Sequence, residues 1–376
     1  MGKVLDLVRC FDRMRLVMIA VGEKVLMRGC EAMAEAAIRA GCRFYAGYPI
    51  TPQSELAEYM ARELPKYGGV FIQSESEIAA INMVLGASVT GTRAMTSSSS
   101  PGISLKQEGI SYLAGCELPA VIANFGRGGP GLGNIAPSDA DYFQATKGGG
   151  HGDYHNIVLA PYSVQETAEL TCLAFDLADR YRNPVLILCS GLIAQMMEPV
   201  EFMPPKEEKE EKPWALTGAR GRPSMVIKSL YLQDVELEGH DLKLQEKYRE
   251  IREKEVRVEA HHLEGGRATP EERAKLVVVA FGTAARVAAS AVEEAREEGL
   301  PVGLIRPITL FPFPRDFIRK AAEGADRFLV LELSGGQMVE DVELAVRGRV
   351  PVEFYGRMGG VMPSPEEYLA EIRKRL

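Results

Sequence analysis

From Lys24 onward, short apolar runs alternate with segments of helical period, and a turn rich in Gly, Ser or Pro separates most neighbours. No other feature constrains the fold as strongly. Strand–helix units repeated in this way bury both faces of a mostly parallel sheet under helices. The pattern predicts a helix over 31–39 stopped by Gly41, a strand over 42–46, and a helix capped by Thr51-Pro52 that runs to Leu64. A strand over 70–73, a helix opening near Glu77, a strand starting at Arg93 and a helix over 103–114 follow. Strands over 120–125, 157–160 and 185–189, with a helix over 163–181, complete the unit. A second α/β unit begins at Lys275, with strands over 276–281, 302–305, 327–333 and 351–355 and helices over 284–298, 315–323, 337–346 and 364–375.

Between the units the composition changes. The charged run 204–213 is bounded by prolines and reads as a solvated linker. Residues 214–270 read as an irregular excursion with one charged helix near 241–255. The expected organisation is an extension over 1–22, a first domain over 23–200, linker and excursion over 201–270, and a second domain over 271–376. The extension carries an apolar run, Leu16 to Val21, after several arginines, without a signal-peptide cleavage pattern, and is expected to be dispensable.

Composition removes several classes of function. The 376 residues carry a net charge of −8, with 44 Lys and Arg against 52 Asp and Glu, which argues against nucleic acid as a partner. No apolar run reaches the length of a membrane span. Six cysteines, at 10, 30, 42, 116, 172 and 189, form no Cys-x-x-Cys pair. They supply neither a zinc ribbon nor a cluster-binding run, and a reducing cytoplasm is expected.

In a doubly wound sheet, ligands bind beyond the carboxyl ends of the strands. The loops expected there are 47–52, 74–77, 97–102 and 126–133. Glu77 stands at the buried edge of its helix, on the face of Ile78, Ile81, Leu85 and Ser88. It has two readings: the closing residue of a Ser74-x-x-Glu77 capping box, or an acid placed for chemistry. Gly126-x-Gly128-x-x-Gly131 follows a strand and matches a dinucleotide fingerprint, but Pro130 and the loop-like residues through Pro137 forbid the helix that fingerprint requires. Arg127 in that loop is either a surface arginine or a fixed cation suited to a carboxylate substrate. His151 and His155, among glycines, lack a rigid frame and a third ligand for a metal. Ser98 to Ser100 lacks the His/Asp partners of a nucleophile and suits a helix cap. Tyr48-Pro49-Ile50-Thr51-Pro52 is a stiff segment, able to hold a cofactor ring or simply to turn from strand to helix.

Taken in order, Tyr48-Pro49-Ile50-Thr51-Pro52, Ser76-Glu77 with Ile78 to Asn82, Ser99-Ser100-Pro101-Gly102-Ile103-Ser104-Leu105, and Arg127-Gly128-Gly129-Pro130 resemble the α subunit of 2-oxoacid:ferredoxin oxidoreductases. The resemblance runs from Gly22 to the C-terminus. It implies a pyrimidine-binding domain of the thiamine diphosphate enzymes followed by a domain like the transketolase C-terminal domain. It also implies oxidative decarboxylation of a 2-oxoacid, with coenzyme A taking the acyl group and ferredoxin the electrons. Glu77 is then the catalytic acid that hydrogen-bonds N1′ of the aminopyrimidine. Tyr48, Pro49, Ile50 and Thr51 line the cofactor, and Thr51, Arg127 and Ser99 meet the substrate. There is no Gly-Asp-Gly with a downstream Asn to hold Mg²⁺ and diphosphate, and no cluster-binding cysteine run. The resemblance therefore assigns Mg²⁺, part of the thiamine diphosphate site and the [4Fe-4S] clusters to β, γ and ferredoxin-like δ subunits. The run 97–109 is most similar to the 2-oxoisovalerate branch, and the 2-oxoglutarate branch is the alternative. A non-catalytic scaffold subunit and an NAD-dependent dehydrogenase are the readings from other classes.

Overall fold

The computed structural model describes residues 23–206, 211–263 and 273–376. The expected extension, with the centre of the charged run and residues 264–272, lies outside the described residues. The first unit contains β1 (Lys24–Arg28), α1 (Gly29–Arg39), β2 (Phe44–Gly47), α2 (Ser54–Glu63), β3 (Val70–Gln73), α3 (Glu77–Val89), β4 (Ala94–Ser99) and α4 (Ser100–Gly115). It continues with β5 (Ala120–Gly126), α5 (Tyr142–Thr146), β6 (Ile157–Leu159), α6 (Val164–Tyr181), β7 (Pro184–Ser190), α7 (Gly191–Gln195) and β8 (Met197–Glu201). The helix α8 (Asp234–Lys254) and strand β9 (Val258–His261) lead to the second unit. That unit is β10 (Leu276–Val279), α9 (Gly282–Glu297), β11 (Val302–Pro307), β12 (Thr309–Phe311), α10 (Arg315–Ala321), β13 (Arg327–Glu332), α11 (Met338–Val346), β14 (Val352–Gly356) and α12 (Pro365–Arg373).

The first sheet has the order β12-β6-β7-β5-β4-β2-β3 and is parallel except for β12. Its central strands β4, β5 and β7 are buried along their whole length, as helices on both faces require. The second sheet, β14-β13-β10-β11-β9, is parallel except for β9. Two pairings tie the units together. Strand β12 leaves the second unit to become an edge of the first sheet, and β9, from the expected irregular excursion, forms an edge of the second. One apolar core runs from Ile38, Val84 and Ile122 to Phe281, Ile305 and Met338, so the units share an interior.

Arg306 on β11 locks this junction. Its guanidinium gives two bonds of 2.9 Å to Glu166 on α6 and reaches Glu259 on β9 at 2.8 Å. It also lies 3.9 Å over the Tyr162 ring. Burial raises Glu166, and the Arg306 bonds pull it back. Arg306→Met leaves Glu166 buried without its counter-ion. The substitution is expected to lower the unfolding free energy by about 3–5 kcal/mol. The check is a fall in the urea midpoint at unchanged m-value; an unchanged midpoint contradicts the clamp.

Candidate active-site edge

The carboxyl ends of β2, β3, β4 and β5 bring together three loops and the junction of β4 with α4. The segment Tyr48–Thr51 emerges from β2 with Tyr48, Pro49 and Thr51 exposed and Ile50 half-buried. A chain of hydrogen bonds holds it: the Tyr45 hydroxyl meets Ser97 Oγ at 2.6 Å, Ser97 Oγ donates to Gln53 Oε1 at 2.5 Å, and Gln53 Nε2 donates to the Tyr48 carbonyl at 3.3 Å. Thr51-Pro52 does not start the helix as expected. Helix α2 begins at Ser54 after Gln53, because the Pro52 carbonyl accepts from Gln195 and the buried Gln53 side chain is tied to the sheet. Tertiary contacts override the local cap signal here.

Helix α3 opens at Glu77, with Ser76 as its cap accepting from the Ala79 N–H at 3.2 Å. The expected Ser74 capping box is not formed. Ser74 Oγ donates instead to the Ser76 carbonyl at 2.9 Å, and Glu77 is the first helical residue rather than the third. The buried face is also rotated from the expected one. It consists of Glu77, Ala80, Ile81, Val84 and Ser88, leaving Ile78 50% exposed. The acid thus belongs to the buried face, at 6% exposure, against the start of α4.

The residues 97–102 are not a loop. Strand β4 runs through Ser99, and α4 begins at once at Ser100. Ser99, expected at the substrate, is fully buried and donates to the Phe125 carbonyl at 2.8 Å. Ser100 is the serine at the edge, where its Oγ accepts from the Arg127 N–H at 3.0 Å. A Cβ on Gly102 would lie 2.0 Å from Ser98 Oγ and 2.6 Å from Glu77 Oε1, so only glycine lets α4 approach the carboxyl. Ser98 Oγ is buried with no hydrogen-bond partner. Among the described residues, no side chain or backbone N–H donates to the Glu77 carboxyl. An acceptor without a donor, an orphaned hydroxyl and a backbone cradle together fit the hydrogen-bonding edge of a flat ring.

Arg127 is 8% exposed, with Nη1 donating to the Thr51 carbonyl at 3.1 Å and Nη2 to the Leu132 carbonyl at 3.4 Å. Its Nε is buried without a partner, and no carboxylate among the described residues forms an ion pair with it. A buried guanidinium lacking a counter-charge favours an anionic ligand. The glycine run around it opens no helix: Gly128 N–H donates to the Ala136 carbonyl, and α5 starts only at Tyr142. The dinucleotide fingerprint therefore has no structural basis.

Sequence reasoning missed Lys106. It is fully buried on α4, with Nζ donating to Thr96 Oγ1 at 3.0 Å and to the Glu77 main-chain carbonyl at 3.4 Å. Burial pulls it down to about 8, and the nearby Glu77 acts in the opposite direction. The signal was present: Lys106 falls three residues after Ile103 and four before Ile110, at a core position of the helix. His155 stacks on Phe311 at 4.3 Å, meets Arg252 at 3.0 Å, and is driven down to about 4 by burial. Among the described residues, no three His, Cys, Asp or Glu side chains are grouped to hold a metal, and no helix is long and apolar enough to cross a membrane. A groove of about 910 Å³, lined by Gly41, Arg43, Thr90 and Arg93, lies at the opposite, amino ends of the strands. The edge itself is open, with Tyr48, Leu132 and Ile135 exposed.

Residues 35–263 match a family described as pyruvate flavodoxin/ferredoxin oxidoreductase, thiamine diphosphate-binding, and residues 274–368 match core domain II of pyruvate:ferredoxin oxidoreductase. The chain is 51% identical over 352 residues to a ketoisovalerate oxidoreductase subunit VorB from Methanothermobacter thermautotrophicus, covering 93% of this chain and 97% of the relative. It is 40% identical over 356 residues to a 2-oxoglutarate synthase subunit KorA from Archaeoglobus fulgidus, covering 93% and 98%. Among solved structures, 2-oxoglutarate:ferredoxin oxidoreductase from Magnetococcus marinus, with 2-oxoglutarate, coenzyme A and succinyl-CoA bound, superposes with a TM-score of 0.83 at 26% identity. The match covers 94% of this chain and 65% of that one. A split-gene transketolase shares the fold, with a TM-score of 0.56 at 14% identity.

Gly102→Ala tests the cradle. The added methyl must displace the Glu77 carboxyl or shift α4. Binding of thiamine diphosphate by the assembled protein is expected to weaken about tenfold or more while far-UV circular dichroism is unchanged. Undiminished binding, measured by calorimetry, contradicts the close packing described.

Proposed function

Since this chain belongs to the pyruvate flavodoxin/ferredoxin oxidoreductase family, we propose that it is the α subunit of a branched-chain 2-oxoacid:ferredoxin oxidoreductase. The reaction would be the oxidative decarboxylation of 2-oxoisovalerate with coenzyme A, giving acyl-CoA, CO₂ and reduced ferredoxin, in the cytoplasm. The observation that carries this reading is the pair of buried ionisable side chains flanking the first turn of α4. Glu77 and Arg127 are each 8% exposed or less, and neither is neutralised by an ion pair among the described residues.

Thiamine diphosphate, when bound, supplies the electron sink for loss of the substrate carboxyl group. The chain's own residues have separable tasks. The Glu77 carboxyl, with no donor from the protein, would share a hydrogen-bonded proton with N1′ and hold the pyrimidine ring in register. Tyr48, Pro49 and Ile50 form the stiff wall beside it, fixed through Gln53. Arg127 has a free Nε and receives the substrate carboxylate. Its bond to the Thr51 carbonyl sets the spacing between substrate and cofactor loops. Ser100 anchors the Arg127 backbone.

The edge holds half a site. A β subunit would bring the Gly-Asp-Gly and downstream Asn that hold Mg²⁺ and diphosphate, and γ and ferredoxin-like δ subunits would carry the [4Fe-4S] clusters. The exposed apolar residues Ile78 and Leu105, both near 50% exposed on α3 and α4, suit burial against such a partner. The higher identity to ketoisovalerate oxidoreductase subunits than to 2-oxoglutarate synthase subunits, 51% against 40%, supports the branched-chain substrate.

The test is viologen reduction by the assembled complex with 2-oxoisovalerate, 2-oxoglutarate or pyruvate. The highest kcat/KM is expected with 2-oxoisovalerate; a preference for 2-oxoglutarate overturns the substrate assignment. Glu77→Gln is expected to lower kcat by about 100-fold or more, the scale of a lost proton-transfer group. Arg127→Met is expected chiefly to raise KM for the 2-oxoacid. Full turnover in the Glu77→Gln complex leaves the chain as a scaffold.

A further inference from the structure

Lys106 is a lysine with no exposure, a burial that its charge opposes. Its ammonium has two protein acceptors, Thr96 Oγ1 at 3.0 Å on β4 and the Glu77 carbonyl at 3.4 Å on α3. No carboxylate among the described residues lies within ion-pair distance. The elements packed around it bring few other titratable groups. Tyr45 on β2 is hydrogen-bonded to Ser97 and held far above its ordinary range by burial. Cys189 on β7 is raised by burial and by Asp139. Strand β4 brings only Thr96 and serines, and Glu108 on α4 is exposed. Glu77 is the one group whose charge acts on Lys106. The two side chains stand on adjacent helices, one buried cation and one buried acid, with Gly102 leaving room between the helices.

We propose that Lys106 is a positioning residue for Glu77: its buried ammonium, bonded to the Glu77 carbonyl and to Thr96 Oγ1, fixes the first turn of α3 and so the direction in which the Glu77 carboxyl meets N1′. This rests on the assignment of Glu77 to N1′ of the cofactor. A charged donor makes the stronger hydrogen bond, so the ammonium holds that carbonyl more firmly than a neutral donor would. The ammonium bonds the main chain at the helix start rather than the carboxyl itself, so it sets the position of the carboxyl without competing for its oxygens. A direct salt bridge would occupy the oxygens that the ring needs.

The experiment compares thiamine diphosphate with its analogue in which N1′ is replaced by CH. Affinities are measured by calorimetry on the reconstituted complex in Mg²⁺. The wild-type complex is expected to favour the natural cofactor, and Lys106→Met to reduce that preference about tenfold, the scale of one hydrogen bond to a charged group. Methionine keeps the apolar stem and removes a buried charge, so the thermal midpoint is expected to hold or rise. Lys106→Gln keeps a donor without the charge and serves if Lys106→Met fails to assemble. The ammonium carries its charge below about pH 8, so the wild-type preference is expected to fall as pH rises through that value. Lys106→Met is expected to show no such step. A structural role alone would weaken both ligands equally and leave the preference intact. If both Lys106 variants keep the preference while Glu77→Gln loses it, the role of Lys106 is overturned and that of Glu77 stands. If Glu77→Gln keeps it too, both fall.

Discussion

Everything at the carboxyl edge depends on the close approach of α4 to the first residue of α3. A glycine at 102 lets the two backbones meet across the Glu77 carboxyl, and no larger residue fits between Ser98 and the acid. That approach buries the residue while no protein donor among the described residues meets its carboxyl. Across the first turn of α4, Arg127 is in the mirror condition: a buried cation with a spare N–H and only carbonyl partners. Glu77 and Arg127 thus flank the first turn of α4, each buried and without an ion pair among the described residues.

The parallel sheet explains why these groups converge. Strands β2 to β5 are adjacent and co-directional, so their following loops emerge on one side. Rigidity comes from hydrogen bonds through the sheet rather than from the loops. Tyr45, Ser97 and Gln53 link the floor of the sheet to Tyr48, and Arg127 links the far loop to Thr51. An edge built this way is firm on one side and open on the other. That suits a cofactor shared between two polypeptides.

Much of the architecture was legible because parallel strands and their helices write strong periodicity into the sequence. The elements from α1 to β7 and from β10 to α12 nearly all lie where apolar runs and turn residues placed them. Strands β1, β8, β9 and β12 did not show. They are short antiparallel edges whose partners are distant in the chain, and pairing of that kind leaves no local period. At the site, Arg127 bonds the Thr51 carbonyl, and Glu77 lies against Gly102 at the start of α4. Ser99 does not join them, because the strand continues one residue further than a loop reading allows and turns its hydroxyl to Phe125. The buried face of α3 was misjudged because Ile78 is apolar yet exposed, as a residue awaiting a partner chain would be. Lys106 went unread because a lysine in a helix is ordinarily a solvated one, although its spacing put it in the core.

The central claim is that the Glu77 carboxyl serves the pyrimidine ring of thiamine diphosphate, and a structure of the assembled complex with that cofactor bound tests it most directly. The account predicts a Glu77 carboxylate oxygen within hydrogen-bond reach of N1′, about 2.6–3.2 Å, with Gly102 packed against the same carboxyl. N1′ bonded to a different side chain, with the Glu77 carboxyl turned away from the ring, would contradict it.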